Sequence, residues 1–352
     1  MMNGNVPYHL RGEQVMAKAR QPTIKDVARL AGVSKTTVGR VVNGEYQRVA
    51  EGTRERVLAA IAMLGYERNI VASSLRTDQT LMVALSIPDI TNPFWPEVAR
   101  GVQDTCEAHG YTVALLNSDW DARREIAHLQ TVRRNRFDGL LINPIHIANA
   151  ELRALKTPTV LLGSGETFPD FDSVGGDSAG AVTLALEHLI ALGHTRIGLI
   201  AGISQRNRPD TRYQGYVDML LRHGLPFDQT LVVRCSYSQA EGAAAMRQLL
   251  DLAHPPTAVL AGNDILAIGA LIAAREAGLI VPDDLSIIGI DDIQAASTVS
   301  PPLTTVAKPK YEIGVQAANL LLKRIRGERL DAPCHLLLQG QLQVRETTCP
   351  PP

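Results

Sequence analysis

From Leu81 onward, short and nearly continuous apolar runs alternate with helical segments, and this alternation constrains the fold more than any other feature of the chain. The runs are LMVALSI, YTVALL, FDGLLI and PTVLLG, then RIGLIAG, TAVLAG and LSIIGI. Helical stretches include 94–109, 177–192, 238–252 and 263–277. Strands that are apolar on both faces belong to parallel sheets with helices packed on each side. The pattern runs twice and breaks near Gly175–Asp177. It predicts two doubly wound lobes with a cleft at the carboxyl ends of their strands. A chain of 352 residues also exceeds what one hydrophobic core usually organises, so a separate N-terminal unit is expected.

Charge sets that unit apart. Residues 16–80 hold eleven Lys and Arg against six Asp and Glu, a net charge of +5, although the whole chain is at −1. A basic module on an acidic body points to a polyanionic partner for the module. Ile24, Val27, Ala28 and Ala31 share one helical face. Thr23 stands at the N-cap with Asp26 three residues on, and Gly32 can close the helix in a left-handed conformation. Ser34 then caps a second helix, Lys35 to about Val42. Two short helices joined by so tight a turn predict a helix-turn-helix whose second helix enters the major groove. Val38 and Val41 face inward, leaving Lys35, Thr36, Thr37 and Arg40 for phosphates and base edges. Asn43-Gly44 ends that helix, and a third, from about Thr53 to Gly65, buries Val57, Ile61 and Leu64. A purely structural helical hairpin is the competing reading.

The stretch TIKDVARLAGVSKTTVGRVVN, then TRERVLAAIAMLGY and NIVASSLRT, resembles the headpiece of the LacI/GalR family of bacterial transcriptional regulators. The resemblance runs from Pro22 to about Thr347 through IPDITNPFWPEVARG, FDGLLI, HLIALGHTRIGLIAG, PTAVLAGNDILAIGAL, VPDDLSIIGIDD and PPLTTV. It implies an all-α helix-turn-helix headpiece followed by an α/β domain of two doubly wound parallel-sheet lobes, like a periplasmic sugar-binding protein. The expected parts are an N-terminal extension at 1–21, a headpiece at 22–68, a hinge at 69–79 and an effector-binding and dimerisation domain at 80–352. Lobe 1 would take about 80–176 plus 309–338, and lobe 2 about 177–308 plus 339–348. By resemblance, Thr23, Ser34 and Asn43 join the DNA contacts. Asn69, Ala72 and Leu75 lie on a hinge that becomes helical on the operator, Leu75 wedging into the minor groove. Gly39, Ala50 and Arg68 depart from the family pattern, where serine, serine and proline are usual. The departures bear on operator sequence and headpiece stability.

Ligand chemistry is expected at strand ends. Phe94 and Trp95 follow the first strand and Tyr237 a strand of the second lobe, in a chain with only 5 Phe, 2 Trp and 8 Tyr. Aromatic faces on two walls suit a sugar ring or a nucleobase. By resemblance the polar partners are Asn143, Ser164, Asp177, Arg206, Arg212, Asn263 and Asp291, each of which could instead be a helix cap or a surface charge. Arg206, Arg208 and Arg212 together favour an anionic or polyhydroxylated ligand: a sugar, sugar acid or nucleoside.

Several classes are disfavoured. No GxSxG elbow or Walker-type loop occurs, and the adjacent Asp291-Asp292 is not a positioned acid/base dyad. The four cysteines, Cys106, Cys235, Cys334 and Cys349, lack metal or disulfide spacing, so no metal and no cofactor is expected. No apolar run approaches a membrane span, and Met1–Arg20 lacks a secretory pattern. The expectation is a cytoplasmic protein whose partners are pseudo-palindromic operator DNA, a small effector and a second copy of itself. The alternatives are an enzyme with a DNA-binding appendage and a periplasmic solute-binding protein. The absence of C-terminal heptads favours a dimer. Residues 1–15 fall outside the resemblance and read as a misassigned start or a disordered arm.

Overall fold

The computed structural model describes residues 22–42, 44–67, 79–163, 165–203, 210–328 and 332–352. Its contacts divide the chain into two units, Met1–Asp78 and Gln79–Pro352.

In the first unit, α1 (Ile24–Ala31) begins with the reciprocal cap that Thr23 and Asp26 predict. The Asp26 carboxylate accepts from Thr23 N at 2.9 Å and from Thr23 Oγ1 at 2.7 Å. Gly32, at φ 65°, ends the helix and turns the chain into α2 (Lys35–Val42). Val27, Ala28 and Ala31 of α1 meet Val38 and Val41 of α2, and Val57 and Ala60 of α3 (Glu51–Leu64) close the core from behind. Ile61 and Leu64 pack at its edge. The third helix starts at Glu51 rather than Thr53, because the Ala50 carbonyl already accepts from Thr53 N and Arg54 N.

The Ala50 N-cap makes no side-chain hydrogen bond, and Gly39 in mid-helix has open space where a Cβ would stand. Neither position is compensated. Ala50→Ser and Gly39→Ala are therefore each expected to stabilise the headpiece by about 1 kcal/mol. Urea melts of the two variants read this directly, and no gain at either site would contradict it.

The second unit is built from two six-stranded sheets. Lobe 1 contains β1 (Met82–Ile87), α4 (Phe94–Ala108), β2 (Thr112–Asn117), α5 (Ala122–Arg134), β3 (Gly139–Ile142), α6 (Asn149–Leu155), β4 (Thr159–Leu162) and β5 (Asp172–Gly176). Lobe 2 contains α7 (Ser178–Ala191), β6 (Ile197–Gly202), α8 (Thr211–Arg222), β7 (Val232–Cys235), α9 (Gln239–Leu250), β8 (Ala258–Ala261), α10 (Asp264–Glu276), β9 (Ser286–Asp291) and β10 (Thr304–Ala307). The chain then returns to lobe 1 with α11 (Lys310–Ile325) and β11 (His335–Leu338), and ends in lobe 2 with β12 (Gln341–Gln343). The strand orders are β11-β5-β4-β3-β1-β2 and β12-β10-β9-β8-β6-β7. The second sheet is parallel except at one edge. β12 runs antiparallel to β10, since a three-residue strand after the last crossover pairs on an open edge and needs no helix to return it.

Side chains alternate between two cores in each lobe. Val83, Leu85 and Ile87 face α4 and α11, whereas Ala84 faces the opposite layer with Leu129 and Val132 of α5. In lobe 2, Ile200 and Ile287 face α9 and α10, while Leu199 and Ile288 face α7 and α8. Helices α4 and α11 cross where Gly101 and Gly314 meet, and a Cβ on either would collide with the Tyr311 or Val98 carbonyl.

The C-terminal segment is stitched to lobe 2. His194, 1% exposed, places Nδ1 2.9 Å from Thr257 Oγ1 and Nε2 2.9 Å from the Cys349 carbonyl. Burial holds its pKa below the ordinary 6.5 and outweighs the Cys349 carbonyl, which pulls upward. Burial is also the main cause of lowered values at His188 and His128. The unfolded chain thus takes up protons near pH 6.5 that the folded chain refuses. Stability is complete above that pH and falls as pH drops through it toward the lower folded values. We expect a lower melting temperature at pH 5.5 than at pH 7.5, with a smaller drop in His194→Gln; equal pH dependence would contradict this.

Candidate ligand cleft and nucleic-acid interface

On the first unit, α2 exposes Lys35, Thr36 and Arg40, with Thr37 partly buried. The Ser34 hydroxyl accepts from Thr37 N at 3.1 Å and lies 2.9 Å from Thr37 Oγ1, so Ser34 and Thr37 hold each other in place at the helix start. Thr23 is committed to its cap. The result is an exposed helix of short polar and basic side chains backed by Val38 and Val41, a surface suited to phosphates and base edges. Asn43, Asn69, Ala72 and Leu75, and with them the expected hinge helix, lie outside the described residues.

On the second unit, a cavity of about 270 Å³ opens at the carboxyl ends of the strands of both lobes. Most of its walls come from residues just past a strand: Asn143 after β3, Gly163 after β4, Tyr237 after β7, Asn263 after β8, and Lys308 after β10, with Asp291 at the end of β9. The structure brings together Phe94, Trp95, Asn143, Arg212, Tyr237, Asn263 and Asp291 of the expected set. Ser164 and Arg206, like Arg208, lie outside the described residues. Asp177 stands at the edge of this set. Its neighbours Gly176 and Ser178 line the cavity, whereas its own carboxylate caps α7 by accepting from Gly180 N at 2.8 Å.

Three features of the cleft bear on its chemistry. Aromatic rings form two walls. Phe94 and Trp95 meet edge to face at 5.1 Å. Trp120, from lobe 1, stacks on Tyr237 of lobe 2 at 5.8 Å and an interplanar angle of 18°. Polar side chains are already oriented. Arg212 NH1 donates to Tyr237 Oη at 2.8 Å, Asn143 Nδ2 donates to the Leu162 carbonyl at 2.6 Å, and Asn263 Oδ1 caps α10 through Leu266 N at 3.0 Å. Finally, Arg212 Nε and Asp291 Oδ1 are buried with no hydrogen-bond partner. Groups so costly to leave unpaired are those a ligand would satisfy.

The floor is strained and braced. Asp291 and Asp292 sit at φ 119° and 54°, a region that costs a non-glycine residue about 1–3 kcal/mol. Lys310 Nζ donates to both their carbonyls at 2.7 and 2.8 Å, and Arg345 holds the Asp292 carboxylate at 2.6 Å. These contacts aim Asp291 into the cavity. Trp120 and Lys308 were missed from sequence. Trp120 lies three residues past β2 and obeys the strand-end rule that found Tyr237. Lys308 follows TTVA, too short and polar a strand to stand out as an apolar run.

A helix-turn-helix unit joined to a two-lobed domain with a ligand-sized cleft defines a ligand-responsive DNA-binding regulator. Residues 23–69 match the family described as bacterial regulatory proteins, lacI family, and residues 186–348 match the periplasmic binding protein-like domain. The HTH-type transcriptional regulator DegA of Bacillus subtilis (strain 168) is 34% identical over 334 residues, which cover 93% of this chain and 98% of that one. The ribose operon repressor of Escherichia coli (strain K12) is 39% identical over 313 residues, 86% of this chain and 93% of that one. A crystal structure of the lac repressor dimer bound to operator and the anti-inducer ONPF superposes with a TM-score of 0.84 at 28% identity, covering 94% of this chain and all of that one. The chain belongs to the lacI family of bacterial regulatory proteins, and it is a DNA-binding transcriptional regulator. No described helix is long and apolar enough to cross a membrane.

Proposed function

We propose that this protein is a cytoplasmic homodimeric repressor of carbohydrate-related genes, whose operator affinity is switched by a small sugar-like effector held between the two lobes. The observation that carries this reading is the cleft itself. It is about 270 Å³ in volume, near the lower limit of ligand pockets, and its aromatic walls flank the buried, unpaired polar atoms of Arg212 and Asp291. The cleft binds rather than reacts, and no metal or cofactor takes part. The relatives support the same reading, one being a ribose operon repressor and another a repressor dimer seen on its operator.

In this reading Phe94, Trp95, Tyr237 and Trp120 hold the ring, while Arg212, Asp291, Asn143 and Asn263 read its hydroxyls. Ser164 and Arg206 complete the site, and Asp177 serves α7. Lys35, Thr36, Thr37 and Arg40, with Thr23, Ser34 and Asn43 beside them, contact the operator from a headpiece at 22–68. Asn69, Ala72 and Leu75 do so from a hinge at 69–79. One headpiece reads a half-site, so two copies are needed. The effector acts through its differential affinity for two arrangements of the lobes, and the coupling is reciprocal. A thermal-shift screen against sugars, sugar acids and nucleosides tests the proposal, with each hit retested on DNA from upstream of the gene. A compound that both stabilises the protein and changes its DNA affinity is the expected result. DNA binding that no small molecule alters would overturn it.

A further inference from the structure

Among the described residues, the cations and carboxylates around the cavity are unevenly paired. Among its described lining residues are two cations, Arg212 and Lys308, and two carboxylates, Asp210 and Asp291. Asp210 is already matched: its Oδ2 accepts from Arg234 NH1 at 2.5 Å, and its Oδ1 caps α8 through Tyr213 N. Asp210 still acts on Arg212 by its charge, but with its oxygens engaged elsewhere it leaves Asp291 as the described lining carboxylate within ion-pair distance of Lys308. Lys308 Nζ lies 3.5 Å from Asp291 Oδ1, an ion-pair separation without a hydrogen bond. Among the described residues, Lys308 Nζ donates to Ser178 Oγ at 3.4 Å. The Lys308 and Asp291 side chains are each 5% exposed, so water offers the surplus charge little relief.

The neighbouring charges do not restore the balance. Lys310 pairs with Glu97 at 3.5 Å and with two carbonyls, and it does not line the cavity. Asp264 lies behind the wall with both oxygens engaged, by Thr305 Oγ1 at 2.5 Å and Ile293 N at 2.8 Å. Burial, and then the charge of Asp291, push its carboxyl up to about 7, so near neutral pH it is only partly ionised. Burial, and then the neighbouring charge of Arg212, lower Lys308 to about 8 although Asp291 pulls the other way.

We infer that the effector is a polyhydroxylated monocarboxylate, a sugar acid of about monosaccharide size, whose single negative charge is held by Lys308 and Arg212 while Asp291 accepts from its hydroxyls. This rests on the cleft being an effector site, as proposed above. A neutral sugar leaves the surplus cation buried and unmatched. A phosphate monoester, at roughly −1.5 to −2, overshoots it.

Both tryptophans of the chain, Trp95 and Trp120, line the cavity, so intrinsic fluorescence of the full-length protein reports occupancy. Titrations would compare D-gluconate and D-galacturonate with D-glucose, D-galactose, D-ribose, D-glucose 6-phosphate, adenosine and hypoxanthine, on the wild-type protein and on Lys308→Gln. The expected result is that one of the acids binds at least tenfold more tightly than its neutral counterpart. Lys308→Gln should erase that preference by weakening the acid and sparing the neutral sugar. A neutral sugar, nucleobase or phosphate ester that binds more tightly than both acids overturns the inference and leaves the effector site standing. So does a Lys308→Gln variant that melts like wild type yet weakens acid and neutral sugar equally. If no compound of any class alters fluorescence or melting, the effector reading fails and this inference fails with it.

Discussion

Arg212→Ala is expected to lower effector affinity by about 30- to 150-fold, the equivalent of about 2–3 kcal/mol for charge-assisted hydrogen bonds in a buried site. Arg212 stands at the start of α8, donates to Tyr237 Oη and keeps Nε free within the cleft. Burial opposes its charge, yet Tyr237, Asp291 and Asp210 together hold its pKa above the ordinary range. Alanine removes the donor and frees the Tyr237 ring, whose stacking on Trp120 joins the two lobes. Arg212→Lys keeps the charge but loses the planar fork, and it should fall between alanine and wild type. Operator affinity without effector should not change, because the headpiece belongs to the other unit. Fluorescence titration and a DNA mobility-shift assay separate the two effects. An Arg212→Ala protein whose DNA binding still responds at the wild-type effector concentration would contradict this assignment.

Arg324→Ala is expected to cost about 3 kcal/mol of stability, the low end of the penalty for removing one partner of a buried ion pair. Arg324, near the end of α11, donates from Nε and NH2 to the two carboxylate oxygens of Asp172 at 2.6 and 2.8 Å, and Cys334 N adds a third bond at 2.7 Å. The Asp172 side chain is 4% exposed and that of Arg324 24%, so the anion left behind would be shielded from water. Asp172 opens β5, and α11 is the helix that re-enters lobe 1 after the lobe 2 strands. The pair therefore ties the return crossover to the sheet it covers. Asp172→Asn in the Arg324→Ala background should recover much of the loss by removing the orphaned charge. Chemical denaturation of the single and double variants measures both. A double variant no more stable than Arg324→Ala would show that the pair is not the cause.

Elements were legible in the chain to the extent that their signals are local. The seven apolar runs became β1 to β4, β6, β8 and β9, because strands within a sheet covered on both faces are apolar along their length, and β2 keeps the pattern at the sheet edge although partly exposed. The headpiece was legible for a similar reason: capping by Thr23 and Ser34 and the left-handed Gly32 are contacts within four residues. Strands β5, β10, β11 and β12 were not legible as apolar runs. β5 opens with Asp172, buried only because Arg324 arrives from α11. β10 buries Thr304 and Thr305, whose polar atoms are met by Thr347, Thr348 and Asp264. Asp177 shows the limit of local signals, since a strand-end aspartate before a helix reads alike as cap and as ligand.

The sequence by itself determined the two-part plan, the class of the fold and the surface of α2, because periodicity, caps and local charge are properties of neighbouring residues. Tertiary structure alone decided the chemistry of the cleft. Lys308, Arg212, Asp291 and Trp120 come from four segments and two lobes, and no spacing along the chain brings them together. Whether Asp210 counts toward the charge of the site depends on Arg234 having reached it first. Charge balance in a buried cavity is a sum over neighbours in space, and only the fold says who those neighbours are.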